Sequence, residues 1–152
     1  MLQLNNKTNQ FNFTTLRLKQ DELSDIMNDK NNINLTYNVS DKFTNYGLTG
    51  IIFLEVGNDK ITVKNWVMSC RVFKKTVEIA VLNEVVKIAS NKKILKIHLK
   101  YISTIKNKLL LSFLKDNGFQ QLRQDTNAFD FQEWVLDLSK KQEFKHYVEV
   151  LS

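Results

Sequence analysis

"ITVKNWVMSCRVFKKTVEIAVLNEVVKIASNKKILKIHLKYI", Ile61–Ile102, decides the fold. Its first nine residues are apolar and β-branched enough to read as a strand. From about Thr76 to Ser90 the period changes: Val77, Val81, Val85 and Ile88 make one apolar row, with Leu82, Val86 and Ala89 beside it, as in a helix packed on a sheet. "ILKIHLKYI" then alternates as a second strand. A strand, a helix and a strand in such close succession predict a right-handed parallel crossover.

Upstream of this unit, "LTGIIFLEV" (Leu48–Val56) is a continuous apolar run of the central-strand kind, and "GNDK" supplies the hairpin turn into Ile61. "INLTYNVSD" and "FNFTTLRL" alternate as strands, and "KQDELSDIMNDK" between them spaces Leu23, Ile26 and Met27 as a short helix. Downstream, "KNKLLLSFLKDNGF" reads as a helix stopped by "NG". "QQLRQ" and "FDFQEWVLDL" read as two strands around the polar turn "DTNA". The tail, residues 139–152, fits a short helix or an edge strand. The predicted order, β-α-β-β-β-α-β-α-β-β, is an α+β domain: a mixed, mostly antiparallel sheet with one parallel crossover and packed helices. With 152 residues and 43% hydrophobic side chains, a single domain is expected over residues 1–152, with 1–10 as a lead-in.

No apolar run approaches the roughly 20 residues of a membrane helix, and the first ten residues lack a signal-like core, so a soluble, cytoplasmic protein is expected without membrane partners. One cysteine leaves no internal disulfide, and two distant histidines, His98 and His146, make no zinc site, so no metal is expected. The net charge of +6 raises nucleic acid as a partner. Against it, the positive residues are nearly all lysines scattered among asparagines and isoleucines, with Arg17, Arg71 and Arg123 as the only guanidiniums. It is the least supported reading.

Four blocks carry a more specific signal: "KTNQFNFTT" (Lys7–Thr15), "DKFTNYGLTG" (Asp41–Gly50), "SCRVFKKTVE" (Ser69–Glu78), and "YISTIKN" (Tyr101–Asn107) followed by "NGF" (Asn117–Phe119). Together, in this order, they resemble the C-terminal GNAT-like half of FkbH-like proteins, from about Leu4 to Leu138. The resemblance implies the GNAT acyltransferase fold and a HAD-type domain as partner, in cis or in trans. It also implies transfer of a small acyl unit, glyceryl in that family, onto the phosphopantetheine thiol of an acyl carrier protein in polyketide and related pathways. No covalently bound cofactor is implied; acyl-CoA or a phosphopantetheine arm would be a substrate.

The resemblance places Cys70 beside the cleft that receives the acylated thiol arm. There it is either a nucleophile, its thiolate favoured by Arg71 and a nearby helix N-terminus, or a buried apolar filler. His98 is a candidate partner for that thiol if the two strands match in depth; otherwise it is a half-exposed strand histidine. "RVFKKT" stands where GNAT proteins carry an Arg/Gln-x-x-Gly-x-Gly loop whose backbone N–H groups approach a pyrophosphate. Arg71 matches the first position, whereas Lys74 and Thr76 replace the glycines. Ser69, Arg71, Lys74, Lys75 and Thr76 are thus candidate phosphopantetheine contacts, or a solvated edge with Thr76 as the helix N-cap. Thr104, Lys106 and Asn107 are candidates for the same cleft, with Thr104 or Asn107 as a cap. Many GNAT enzymes place a tyrosine general acid seven residues after that asparagine, and here the position is Leu114. The departures favour an alternative, a catalytically silent module that binds the carrier protein or acyl-CoA.

Overall fold

A computed structural model describes residues 2–15, 17–125, 130–140 and 144–151. The elements are α1 (Leu2–Lys7), β1 (Phe11–Asn12), α2 (Gln20–Asn28), β2 (Asn32–Ser40), β3 (Asn45–Val56), β4 (Ile61–Met68), α3 (Val77–Asn91), β5 (Lys96–Ile102), α4 (Leu109–Asp116), β6 (Gln120–Asp125) and β7 (Phe131–Asp137). The predicted order holds, with α1 added in the lead-in. The tail segment 144–151 is neither helix nor strand, and most of the turn "DTNA" lies outside the described residues.

The sheet runs β2-β3-β4-β5-β7-β6, with β1 attached to β4. Every pairing is antiparallel except β4 with β5. On one face α3 and α4 cover the main core, where Val81, Leu82, Val85, Leu110 and Leu114 meet Trp66, Ile97, Leu99, Tyr101 and Trp134. Each fully buried aliphatic side chain of this kind stabilises the fold by about 1.5–3 kcal/mol. On the other face a smaller cluster, Leu23, Ile51, Phe53 and Val67, lies under α1 and α2. "NG" does stop α4: Gly118 adopts φ 77°, and the Phe119 N–H reaches back to the Leu114 carbonyl at 3.0 Å. No helix among the described residues is long and apolar enough to cross a membrane.

The parallel pair is short. β4 and β5 share only Ile61 to Val63 against Ile97 to Leu99, after which they diverge. Of the expected strand "FNFTTLRL", Phe11–Asn12 forms β1 and fills the gap. Phe11 lies opposite Met68 and Asn12 opposite Val67 on β4, while the Ile102 N–H at the end of β5 donates to the Phe13 carbonyl at 2.8 Å. Wedged between two strands, residues 11–14 are all buried, which overrides the half-exposed alternation of their sequence. Phe11 and Phe13 stack edge or face against Trp66 at 5.2 and 5.7 Å, and Phe73 and Phe113 close the cluster. Three buried asparagines tie the wedge to its surroundings. Asn12 reaches the carbonyls of Asn5 and Thr8, Asn65 accepts the Thr14 N–H, and Asn107 reaches the Asn12 carbonyl at 3.0 Å.

Candidate functional site

The loop from Ser69 to Thr76 leaves the end of β4 and turns into α3. Ser69 is buried and fixes its start: the backbone N–H donates to Thr49 at 2.7 Å, and the hydroxyl accepts from the Arg71 backbone and Nε, each at 3.4 Å. Val72 is fully buried and anchors the middle. Cys70, Arg71, Lys74 and Lys75 are exposed, so Cys70 is a free surface thiol and not an apolar filler.

Lys74 and Thr76 both adopt left-handed backbone, at φ 65° and 62°. These are the two positions at which the resemblance implies glycine. The loop therefore keeps a backbone that glycine adopts freely, while carrying side chains for which it costs about 1–2 kcal/mol each. A β-branched residue at positive φ is a true outlier, and such strain persists where the surroundings over-determine it. The surroundings here are identifiable. Lys75 Nζ donates to Tyr46 Oη at 3.0 Å and lies 4.8 Å from its ring centre, and Tyr46 donates to Asp41 Oδ2 at 3.1 Å. The hydrogen bond from Lys75 to Tyr46 raises the lysine's pKa. The N–H groups of Phe43 and Thr44 hold the Asp41 carboxyl below its usual range, with smaller contributions from Tyr46 and Lys75. The Asp41–Gly50 block thus docks on the Ser69–Glu78 block through Tyr46, a residue that sequence reasoning missed because a tyrosine beside a turn carries no signal of its partner.

Two further groups meet the loop. Glu78 in the first turn of α3 is 8% exposed, its Oε2 lacks a partner among the described residues, and burial pushes its carboxyl up against the opposing N–H groups of Glu78 and Lys74. Thr76 does precede α3, yet its side chain makes no cap. Its Oγ1 accepts the N–H of Tyr147 at 3.1 Å, so the tail reaches the start of the helix, and Asn83 Nδ2 holds the Phe144 carbonyl at 2.8 Å.

The remaining expected residues take other places. Asn107 is fully buried, with Nδ2 donating to Asn12 and Ile102 and Oδ1 accepting from Thr104 and Tyr101, so it presents nothing to a ligand and caps no helix. The Asn107 N–H in turn donates to Thr104 Oγ1 at 3.2 Å, while Lys106 is exposed on that loop. Leu114 is buried in the core. His98 is 8% exposed, where sequence reasoning expected half-exposure, and its Nδ1 meets Glu133 Oε1 at 2.8 Å. It stands level with Thr62, while Cys70 follows the far end of the same strand. Six residues from Thr62 to Met68 span about 20 Å, so the structure does not bring Cys70 and His98 together. Among the described residues, no three His, Cys, Asp or Glu side chains gather as metal ligands would.

Searched by sequence, the chain matches no family model and no curated protein. Solved structures are similar in fold. The ribosomal-protein-S18-alanine N-acetyltransferase of Escherichia coli aligns over 96% of this chain and 93% of its own, with a TM-score of 0.66 at 11% identity. The putative streptothricin acetyltransferase of Bacillus anthracis, in complex with acetyl coenzyme A, aligns over 76% and 68% respectively, at 0.62 and 15%. The PaiA N-acetyltransferase of Thermoplasma acidophilum, in complex with coenzyme A, is 23% identical over 68% of this chain, which spans 60% of that protein's length, with a TM-score of 0.54. With a mixed sheet holding one parallel pair and this likeness to several acetyltransferase structures, the chain has the GNAT acetyltransferase fold.

Proposed function

We propose that this chain is an acyltransferase domain that handles phosphopantetheine thioesters, with the Arg71–Thr76 loop holding the phosphate end and Cys70 accepting the acyl group. In its specific form the domain receives a small acyl unit, glyceryl by the resemblance, and passes it to a carrier-protein thiol, working with a HAD-type domain. The observation that carries the reading is the left-handed backbone at Lys74 and Thr76 ahead of α3, with Arg71, Lys74 and Lys75 around it. Consecutive turn amides and a helix N-terminus favour an anion, and three cations add to that field. Two of the structures similar in fold carry coenzyme A or acetyl coenzyme A, the same phosphopantetheine chemistry. In the transfer step the Cys70 sulfur attacks the thioester carbonyl, a new C–S bond forms, the old one breaks, and the Cys70 proton leaves with the departing thiol. The reverse exchange delivers the acyl group to the next thiol.

A second reading, a docking module without catalysis, has its own support: Phe11–Phe13 fills the strand gap, and Leu114 replaces a general acid. Intact-mass analysis separates the two. Incubation with a glyceryl-loaded carrier protein should add one glyceryl mass, lost in Cys70→Ser. Carrier binding without an adduct would assign the docking role, and an adduct that survives Cys70→Ser would overturn the nucleophile.

A further inference from the structure

Among the described residues two aromatic side chains are exposed, Phe43 at 85% and Tyr147 at 94%, and both segments are tied to the Ser69–Thr76 loop. Phe43 stands at the tip of the β2–β3 hairpin, which Lys75, Tyr46 and Asp41 link to that loop in one hydrogen-bonded chain. Tyr147 comes from the tail, where its N–H donates to Thr76 Oγ1 at 3.1 Å. Single apolar residues are normal on a surface, but two aromatics gathered at one loop point to a contact.

The hairpin tip is fixed by its own turn. Asp41 Oδ1 accepts the N–H groups of Phe43 and Thr44 at 2.9 and 2.8 Å, and the Asp41 N–H donates to the Thr44 carbonyl at 2.9 Å. The aspartate makes this turn, and nothing in it calls for a phenylalanine. The ring meets Lys42 Nζ at 5.2 Å from its centre. A large side chain on a backbone already fixed loses little freedom when a partner buries it, which is the property of an interface anchor. The charge around it has one sign. In Asp41–Tyr46 and Ser69–Glu78 the acids are Asp41 and Glu78, and both are withdrawn: Asp41 holds the turn and Tyr46, and Glu78 is buried. Lys75 is engaged by Tyr46, which leaves Lys42, Arg71 and Lys74 as exposed cations.

We infer that the hairpin tip and the loop form one docking surface for an acidic protein, with Phe43 as its anchor and Lys42, Arg71 and Lys74 facing the partner's carboxylates. Charge complementarity of this kind steers encounter, while a buried aromatic sets how long the complex lasts. Under the acyl-transfer reading, on which the choice of partner rests, that protein is the carrier, and the exposed Cys70 thiol lies within the surface it covers. A nucleic acid, the other polyanion, is read by guanidinium forks, and this surface holds one, Arg71.

The probes are an acyl carrier protein lacking its phosphopantetheine arm, the same carrier loaded with a glyceryl thioester, and a single-stranded oligonucleotide. Each is titrated into the full chain at about 150 mM salt. The armless carrier should bind, since the surface recognises the protein and not the arm. Phe43→Ala should weaken that binding about tenfold or more, and Lys42→Ala should lower the association rate and flatten its salt dependence. Leu95→Ala, at an exposed apolar residue ahead of β5, should change neither. Unchanged affinity in Phe43→Ala, with an adduct still formed at Cys70 from the loaded carrier, would overturn the docking surface and leave the acyl-transfer reading standing. Docking that depends on Phe43 with no adduct would uphold the surface and end the nucleophile. No binding of either carrier form, or tighter binding of the oligonucleotide, would overturn the proposal.

Discussion

Replacing Lys74 separately by glycine and by alanine tests the backbone on which the proposed phosphate site rests. The Lys74 side chain is exposed and among the described residues its only ring contact is with Phe73 at 6.0 Å, so both substitutions lose the same small interaction and their difference isolates the backbone. At φ 65° an L-residue is strained by about 1–2 kcal/mol, which glycine escapes. Glycine returns roughly 0.4–1 kcal/mol of that through the extra freedom of its unfolded chain. Lys74→Gly should therefore be more stable than Lys74→Ala by about 0.5–1 kcal/mol. Lys87, exposed within α3, provides the opposite case: there alanine should exceed glycine by about 1 kcal/mol. Urea unfolding with an unchanged m-value measures both pairs, and at this chain length each kcal/mol moves the melting temperature by about 2–4 °C. Alanine ahead of glycine at both positions would refute the left-handed loop and remove the main support for an anion cradle.

Asn107→Ala strips four hydrogen bonds at a site with no access to water, leaving the Asn12 and Ile102 carbonyls and the Thr104 N–H without that partner. The expected loss is about 3–5 kcal/mol in chemical denaturation; a loss under about 1 kcal/mol would show that the wedge is not held there. Glu78 titrates in the unusual sense for an acid. Its folded pKa is raised above the usual 4.5 by burial, so its favourable contribution is complete below that pH and is lost as pH rises through the folded value. Glu78→Gln should gain stability relative to the unaltered protein as pH climbs from 4 to 7, and a gap that stays constant with pH would exclude the assignment.

Legibility in the sequence followed the locality of the cause. The crossover from Ile61 to Ile102 was readable because a change from period 2 to period 3.6 is written in consecutive residues. The hairpin at Gly57 and the stop at Gly118 were readable from turn chemistry alone. Phe11–Phe13 read as half-buried and is fully buried, because its partners, Met68 and Ile102, lie far along the chain, and alternation reports half-burial only when one face meets water. Asn107 looked like a cap or a ligand contact because "STIKN" carries the right residue types. Its actual partners include a carbonyl 95 positions away. The two left-handed residues carried no local signal either; only the resemblance to a glycine-bearing loop marked positions 74 and 76.

The wedge also constrains how chemistry could proceed under the acyl-transfer reading. The edge of β4 from Trp66 to Met68 would offer unpaired backbone groups to an extended substrate, but Phe11–Phe13 already takes them. Displacing that segment would expose two fully buried phenylalanines, at about 1.5–3 kcal/mol each before the aromatic stacking and the asparagine contacts are counted. No ligand gains from threading the gap unless it returns more than that. The loop at Cys70 demands no such displacement, since the thiol is already exposed at the end of β4. A thioester brought to the surface by a carrier protein can meet an exterior thiol while its phosphate rests near Arg71 and Lys74. The wedge thus favours exchange at the rim of the sheet over transfer within it.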